Sequence, residues 1–315
     1  MNKLKFTLPL FFVCLTGNLF AQQQQVTQAL YKHHFNIINP AVAGTQEGSF
    51  LNLTSRNQWA SLDGAPKTTA LSVGFPHRYK RVGLGFSVVN DQFNIENHTY
   101  VAADFSYRLQ MSRSTSVYLG LKAGYNAYRL NFDNQNIYGY EGVVTDTSLQ
   151  NYSSILSNIG AGVYLRSPKS FVSILIPRLL NTERRKRQDG QQVTATDRPH
   201  FFLSAGTAFE INEQLSIHPS FLFSAVSAAP SQLVLDATAR FGKFIEAGVQ
   251  YSDTYGLGGT AMMNLFDGWK VGYAYLAANS AKVNYTTHEF ILKIRLKAPK
   301  LDAPASIENQ SDPIR

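Results

Sequence analysis

The chain has 315 residues, 44% hydrophobic and 12% aromatic, and a net charge of +8. Its one cysteine, Cys14, lies in the N-terminal leader, and no later stretch holds the roughly 18 apolar residues of a spanning helix. Disulfide frameworks, thiolate metal sites and a helical membrane protein are therefore excluded for the mature chain, and the basic balance, lacking a basic helix or an aromatic RNA-binding motif, points to phosphate-bearing lipids or an acidic partner rather than nucleic acid.

Lys3 and Lys5 precede an apolar run over 8–15, and Ala21 stands before the glutamines Gln22 to Gln25. This reads as a secretory signal peptide over 1–21, the apolar run being too short to span a bilayer as a helix. Val13, rather than a small residue, precedes Cys14, which argues against lipidation. Loss of Lys3 and Lys5 with the leader lowers the net charge from +8 to +6. Residues 22–47 are expected to form a periplasmic N-terminal segment, a compact element entering the next domain through turns at Asn39-Pro40 and Gly44.

From Phe50 to Leu296 apolar and polar residues alternate with period two between turn signals. Val101, Ala103, Phe105, Tyr107 and Leu109 share one face, and Tyr100, Asp104, Ser106 and Arg108 the other. Near the far end, Phe290, Leu292, Ile294 and Leu296 alternate in the same way with Glu289, Lys293 and Arg295. Several of these runs reach about ten residues, the length of a tilted membrane-crossing strand. The pattern predicts an all-β fold, a single antiparallel transmembrane β-barrel over 48–297. Its strands are expected at 48–55, 67–75, 82–90, 97–109, 115–130, 153–166, 170–178, 200–210, 214–226, 232–241, 244–252, 257–265, 269–277 and 287–297. The glycine-rich third and twelfth leave a range of about 12 to 16 strands. Connections after even-numbered strands are short (76–81, 110–114, 167–169, 211–213, 242–243, 266–268), and the long ones (56–66, 131–152, 179–200, 278–286) follow odd-numbered strands. That sorting assigns short turns to the periplasm and longer loops to the cell exterior. The proline-rich, polar tail 298–315 is expected to be disordered in the periplasm.

No catalytic signature emerges. His98, His200, His218 and His288, with Asp104 and Asp236, sit in no local motif, so no enzymatic activity and no cofactor is expected. The glycines at Gly83 and Gly85, Gly160 and Gly162, and Gly258 and Gly259 precede no helix and read as strand curvature or close backbone approach. His33 and His34 lack a third metal ligand nearby, and the basic run 183–187 falls in an expected external loop. The inward faces mix signs, among them Asp104, Lys122, Asp236, Glu246, Glu289 and Lys293. Such a lumen is either an open wet channel or one filled by ion pairs.

The most distinctive local sequence brackets the first strand. Asn39-Pro40-Ala41-Val42-Ala43-Gly44 precedes it, Arg56-Asn57-Gln58-Trp59 ends it, and Gly64-Ala65-Pro66-Lys67-Thr68 leads into the second. Physically, Arg56 stacked on Trp59 would fix the first loop or offer a recognition surface. This signature, with Asn90-Asp91, Tyr107-Arg108-Leu109 and the run from Leu119 to Gly124, resembles the PorP/SprF family of type IX secretion system outer-membrane proteins, closely over 31–130 and more generally beyond. The resemblance implies a non-enzymatic outer-membrane barrel of the secretion and gliding-motility apparatus. Its implied partners are a large secreted surface adhesin or periplasmic and outer-membrane secretion components, besides the outer-membrane lipids. The candidate structural or partner-binding residues are Asn39, Pro40, Gly44, Arg56, Gln58, Trp59, Gly64, Pro66 and Thr68. The competing reading is a channel for small hydrophobic or polar solutes.

Overall fold

The computed structural model describes residues 28–46, 48–76, 81–132, 138–139, 142–143, 151–180, 182–188, 191–227, 229–254, 256–277 and 285–296. The expected leader and C-terminal tail lie outside the described residues. Fourteen strands make the wall: β1 (Ser49–Asn57), β2 (Lys67–Pro76), β3 (Val82–Phe93), β4 (Glu96–Gln110), β5 (Ser116–Leu130), β6 (Tyr152–Arg166) and β7 (Ser170–Ile176). There follow β8 (His200–Thr207), β9 (Leu215–Val226), β10 (Gln232–Phe241), β11 (Ile245–Ser252), β12 (Gly256–Phe266), β13 (Trp269–Leu276) and β14 (Thr287–Leu296). Each pairs antiparallel with its sequence neighbours, and β14 returns to β1 from Ser49↔Leu296 to Asn57↔His288. The sheet is thus a closed 14-stranded barrel with no free edge to its cycle, as a membrane wall requires. Both glycine-rich segments are strands, β12 carrying a bulge between Asn264 and Phe266.

The alternation sorts as its pattern predicts. Phe105, Leu84 and Leu121 lie on the outer surface, whereas Asp104, Ser106 and Lys122 are buried inside. One rim carries only the short connections, and the other carries the longer ones, which orients the short-turn rim to the periplasm. The wall height is uneven. β4, β5 and β6 have 15 residues each, but β7 has 7 and β8 has 8, so the sheet from β3 to β6 rises above its neighbours at the external rim. The external loop after β7 contains a hairpin, Thr182–Gln188 against Gln191–Asp197, whose first strand includes the basic run 183–187.

One domain expectation is corrected. The described part of the N-terminal segment, 28–46, is not a periplasmic element: it lies inside the barrel as a plug. Two 3-10 turns, Tyr31–Ile37 and Pro40–Val42, carry it across the lumen. Tyr31, Phe35 and Val42 pack with the inward-facing Leu175, Phe202, Leu222 and Val234. Ala29 and Leu30 pack with Met262, Ala274, Leu276 and Ile291 from the other side. A ring of 14 strands is wider than wall side chains alone can fill, and these apolar residues gain more from the lumen than from periplasmic water.

Candidate functional site

The polar residues of the lumen are organised around the plug. Glu289 on β14, fully buried, accepts hydrogen bonds from the backbone N–H of Ala29 at 2.8 Å and of Leu30 at 2.9 Å. The same carboxylate faces the Arg56 guanidinium at 3.5 Å and His34 at 3.8 Å. On β10, four strands round the wall, Lys32 pairs with Asp236 and donates to Thr238 at 2.9 Å. Gln250 donates to the Ala29 carbonyl at 3.2 Å, and Lys293 to that of His33 at 3.4 Å. Between β4 and β5, Asp104 and Lys122 form a 2.7 Å ion pair whose side chains are both 0% exposed, and Lys122 also reaches the Asn36 carbonyl at 3.5 Å. The described part of the lumen is therefore crossed by ion pairs and by the plug, where the sequence left both possibilities open.

The Asn-Pro-Ala-Val-Ala-Gly stretch is the part of the plug laid against the wall. Asn39 accepts the Ala41 N–H at 2.9 Å, capping the second turn, and donates to Ser173 at 2.7 Å on β7. Pro40 opens that turn, and Ala41 and Ala43 are fully buried. Gly44 has φ +70°, a conformation that favours glycine. The wall yields to this backbone through its own glycines: a Cβ on Gly83 would collide with the Ala43 carbonyl, and one on Gly120 with the Ala41 nitrogen. Close backbone approach, rather than curvature alone, accounts for these strand glycines.

The other motif residues link the plug to the external rim. Arg56, 1% exposed, points into the lumen at Glu289. Gln58 is buried, and its N–H bonds the Pro66 carbonyl at 3.0 Å, closing the β1–β2 loop at its base. Trp59 is half-buried with φ 54°, its carbonyl accepting from Leu62. Gly64, φ +72°, accepts from the Asn94 N–H at 3.0 Å and ties this loop to the β3–β4 turn. Thr68 faces inward and donates to Asp91 at 2.8 Å. The nine residues thus divide between plug, lumen and rim rather than forming one pocket. Lys32, His34, Asp104, Lys122, Asp236 and Glu289 complete the assembly. Four of these were legible as inward charges, but nothing in their local spacing showed that a segment distant in sequence, 86 residues from Lys122 and 204 from Asp236, would meet them.

Among the described residues no group of three or more His, Asp or Glu side chains is placed to hold a metal. His98 lies beside Glu96, and His288 beside Tyr273. What the arrangement offers is a stoppered lumen and a shaped external rim. The model of the type IX secretion system membrane proteins PorP/SprF matches residues 19–294. The chain belongs to this family. It is accordingly an outer-membrane β-barrel of the type IX secretion system, a family of secretion barrels rather than enzymes. A search of curated proteins returned no match. Similar solved structures include the CymD monoaromatic hydrocarbon channel, 14% identical over 82% of this chain and 90% of that one, with a TM-score of 0.48. A Pseudomonas aeruginosa FadL homologue is 10% identical over 81% and 91%, with a TM-score of 0.42. The NanC porin is 9% identical over 79% and 100%, with a TM-score of 0.38. At this distance these likenesses concern the barrel alone.

Proposed function

We propose that this PorP/SprF barrel serves secretion through protein contact, its external rim engaging a secreted surface adhesin or another secretion component, and not through solute conduction. The observation that carries the reading is the plug: apolar packing on two sides, with Glu289 and Asp236 committed to the plug and Lys122 tied to it. A lumen filled by its own chain supports a docking role, and the raised sheet from β3 to β6 supplies an external surface. Affinity purification of the tagged protein from its native envelope tests this. A large adhesin or secretion components should co-purify, and purified protein in a planar bilayer should stay closed. Recovery of lipid alone, together with normal surface-protein export in a deletion strain, would refute the docking role. Large, substrate-independent conductance would favour the solute channel.

A further inference from the structure

The outer face of β2 to β5 turns polar above its apolar belt, whereas on β6 the exposed Ile155 stands in the same row. Register defines the boundary: Leu71, Val88, Val101 and Tyr125 stand side by side across β2 to β5 and face outward. Two residues further toward the external rim the same outward positions become Thr69, Asn90, Thr99 and Ala127, and two further still Lys67, Gln92, Asn97 and Arg129. The change from aliphatic to carboxamide and cationic side chains marks where hydrocarbon gives way to headgroups.

This polar band is concave. A recess of about 530 Å³ is lined by Asn90, Gln92, Asn97 and Arg129, with the Glu96 carboxylate, which faces His98, at its edge, and a second of about 400 Å³ shares Gln92 and Asn94 with it and extends to Lys67 and Asp63. These are the sizes of small-ligand sites. The recess is ordered from within. The Asn90 amide donates to Asn97 Oδ1 and to Thr99 Oγ1, each at 2.9 Å. This fixes the cluster and leaves the Asn90 side-chain oxygen and the Asn97 side-chain nitrogen for other partners. Neither Arg129 nor Lys67 has an ion-pair partner among the described residues. They stand three strands apart in one register row, about 14 Å at the usual strand spacing. Carboxamides suit sugar hydroxyls, and two separated cations suit phosphates at the ends of a short saccharide. The strand residues Asn90, Gln92, Asn97, Thr99 and Arg129 that line the recess stand on the outward face of the wall, the face that meets lipid.

We propose that this outward recess on β2 to β5 binds the phosphorylated disaccharide headgroup of an outer-leaflet glycolipid. Full-length protein extracted from its native membrane, exchanged through detergent and examined by native mass spectrometry, should retain glycolipid while losing phospholipid. Arg129→Gln combined with Lys67→Gln should reduce retention at least fivefold. Asn97→Ala, which keeps both cations, should reduce it two- to threefold. Heat-modifiable migration reports that each variant is folded. Adding lipid A or phosphatidylglycerol to delipidated protein separates the headgroup from phosphate alone, with at least tenfold preference expected for lipid A. Equal retention by the wild type and either folded variant, or equal uptake of the two lipids, overturns the proposal. These readouts require no secretion partner, so they stand or fall apart from the docking role.

Discussion

Phe105 and Asp104 are neighbours in sequence with opposite surroundings, and their substitutions are expected to fail for different reasons. Phe105 faces outward at 44% exposure in the apolar belt. Phe105→Arg places a guanidinium against lipid, at about 2–4 kcal/mol near the midplane, and should lower the folded fraction on a heat-modifiability gel. An unaltered fraction would mean that this face does not meet a bilayer. Sequence alternation suggests that Asp104, on the lumen side, tolerates polar exchange. In the structure Asp104 and Lys122 are paired and fully buried inside the barrel, which sets the cost of each exchange. Asp104→Ala leaves a buried ammonium uncompensated, about 3–5 kcal/mol, and Asp104→Asn should cost less because an oxygen still faces the cation. Asp104→Leu with Lys122→Met should recover most of the loss, since two apolar groups of similar size leave no unpaired charge. Chemical denaturation of the three variants checks that order, and a double variant weaker than Asp104→Ala contradicts it.

The plug is the element with the clearest division between anchoring and packing. Its N-terminal half is held by Glu289, Asp236 and Gln250, and its C-terminal half lies on wall backbone at Gly83 and Gly120. Gly120→Val adds three carbons where no space exists for a first one. The wall strand can keep its ladder because valine favours strands, so the plug is what must move. The variant is expected to remain heat-modifiable while acquiring conductance in a planar bilayer and a protease-sensitive site within 28–46. A folded variant as closed as the wild type would show that the plug is held by its charged anchors alone.

At the scale of the whole molecule, loop parity sets the orientation. The hairpin after β7 belongs to the rim of long loops and the β4–β5 turn to the rim of short ones. In a Cys14→Ser background, single cysteines introduced at Gln188 or at Ser112 are the only thiols of the chain. On intact cells an impermeant maleimide should label Gln188→Cys and spare Ser112→Cys. The reverse pattern inverts the molecule, and with it the side on which a secreted partner or a glycolipid would be met.

Sequence by itself determined the wall. Period-two alternation is a local property, each strand reports its own two faces, and the turn residues between them report the count, so all fourteen strands and the sorting of their connections were legible before any coordinates. The Asn39 to Thr68 signature was also visible, along with its family resemblance. What only the tertiary structure decided is the fate of the lumen. Residues 28–46 carry their apolar side chains in too irregular an order to announce a lumenal element. The buried partners of Lys32 and of the Ala29 and Leu30 amides lie more than 200 residues away. A buried carboxylate such as Glu289 reads from sequence as one more inward polar residue, and its partner becomes known only when the barrel closes around the plug.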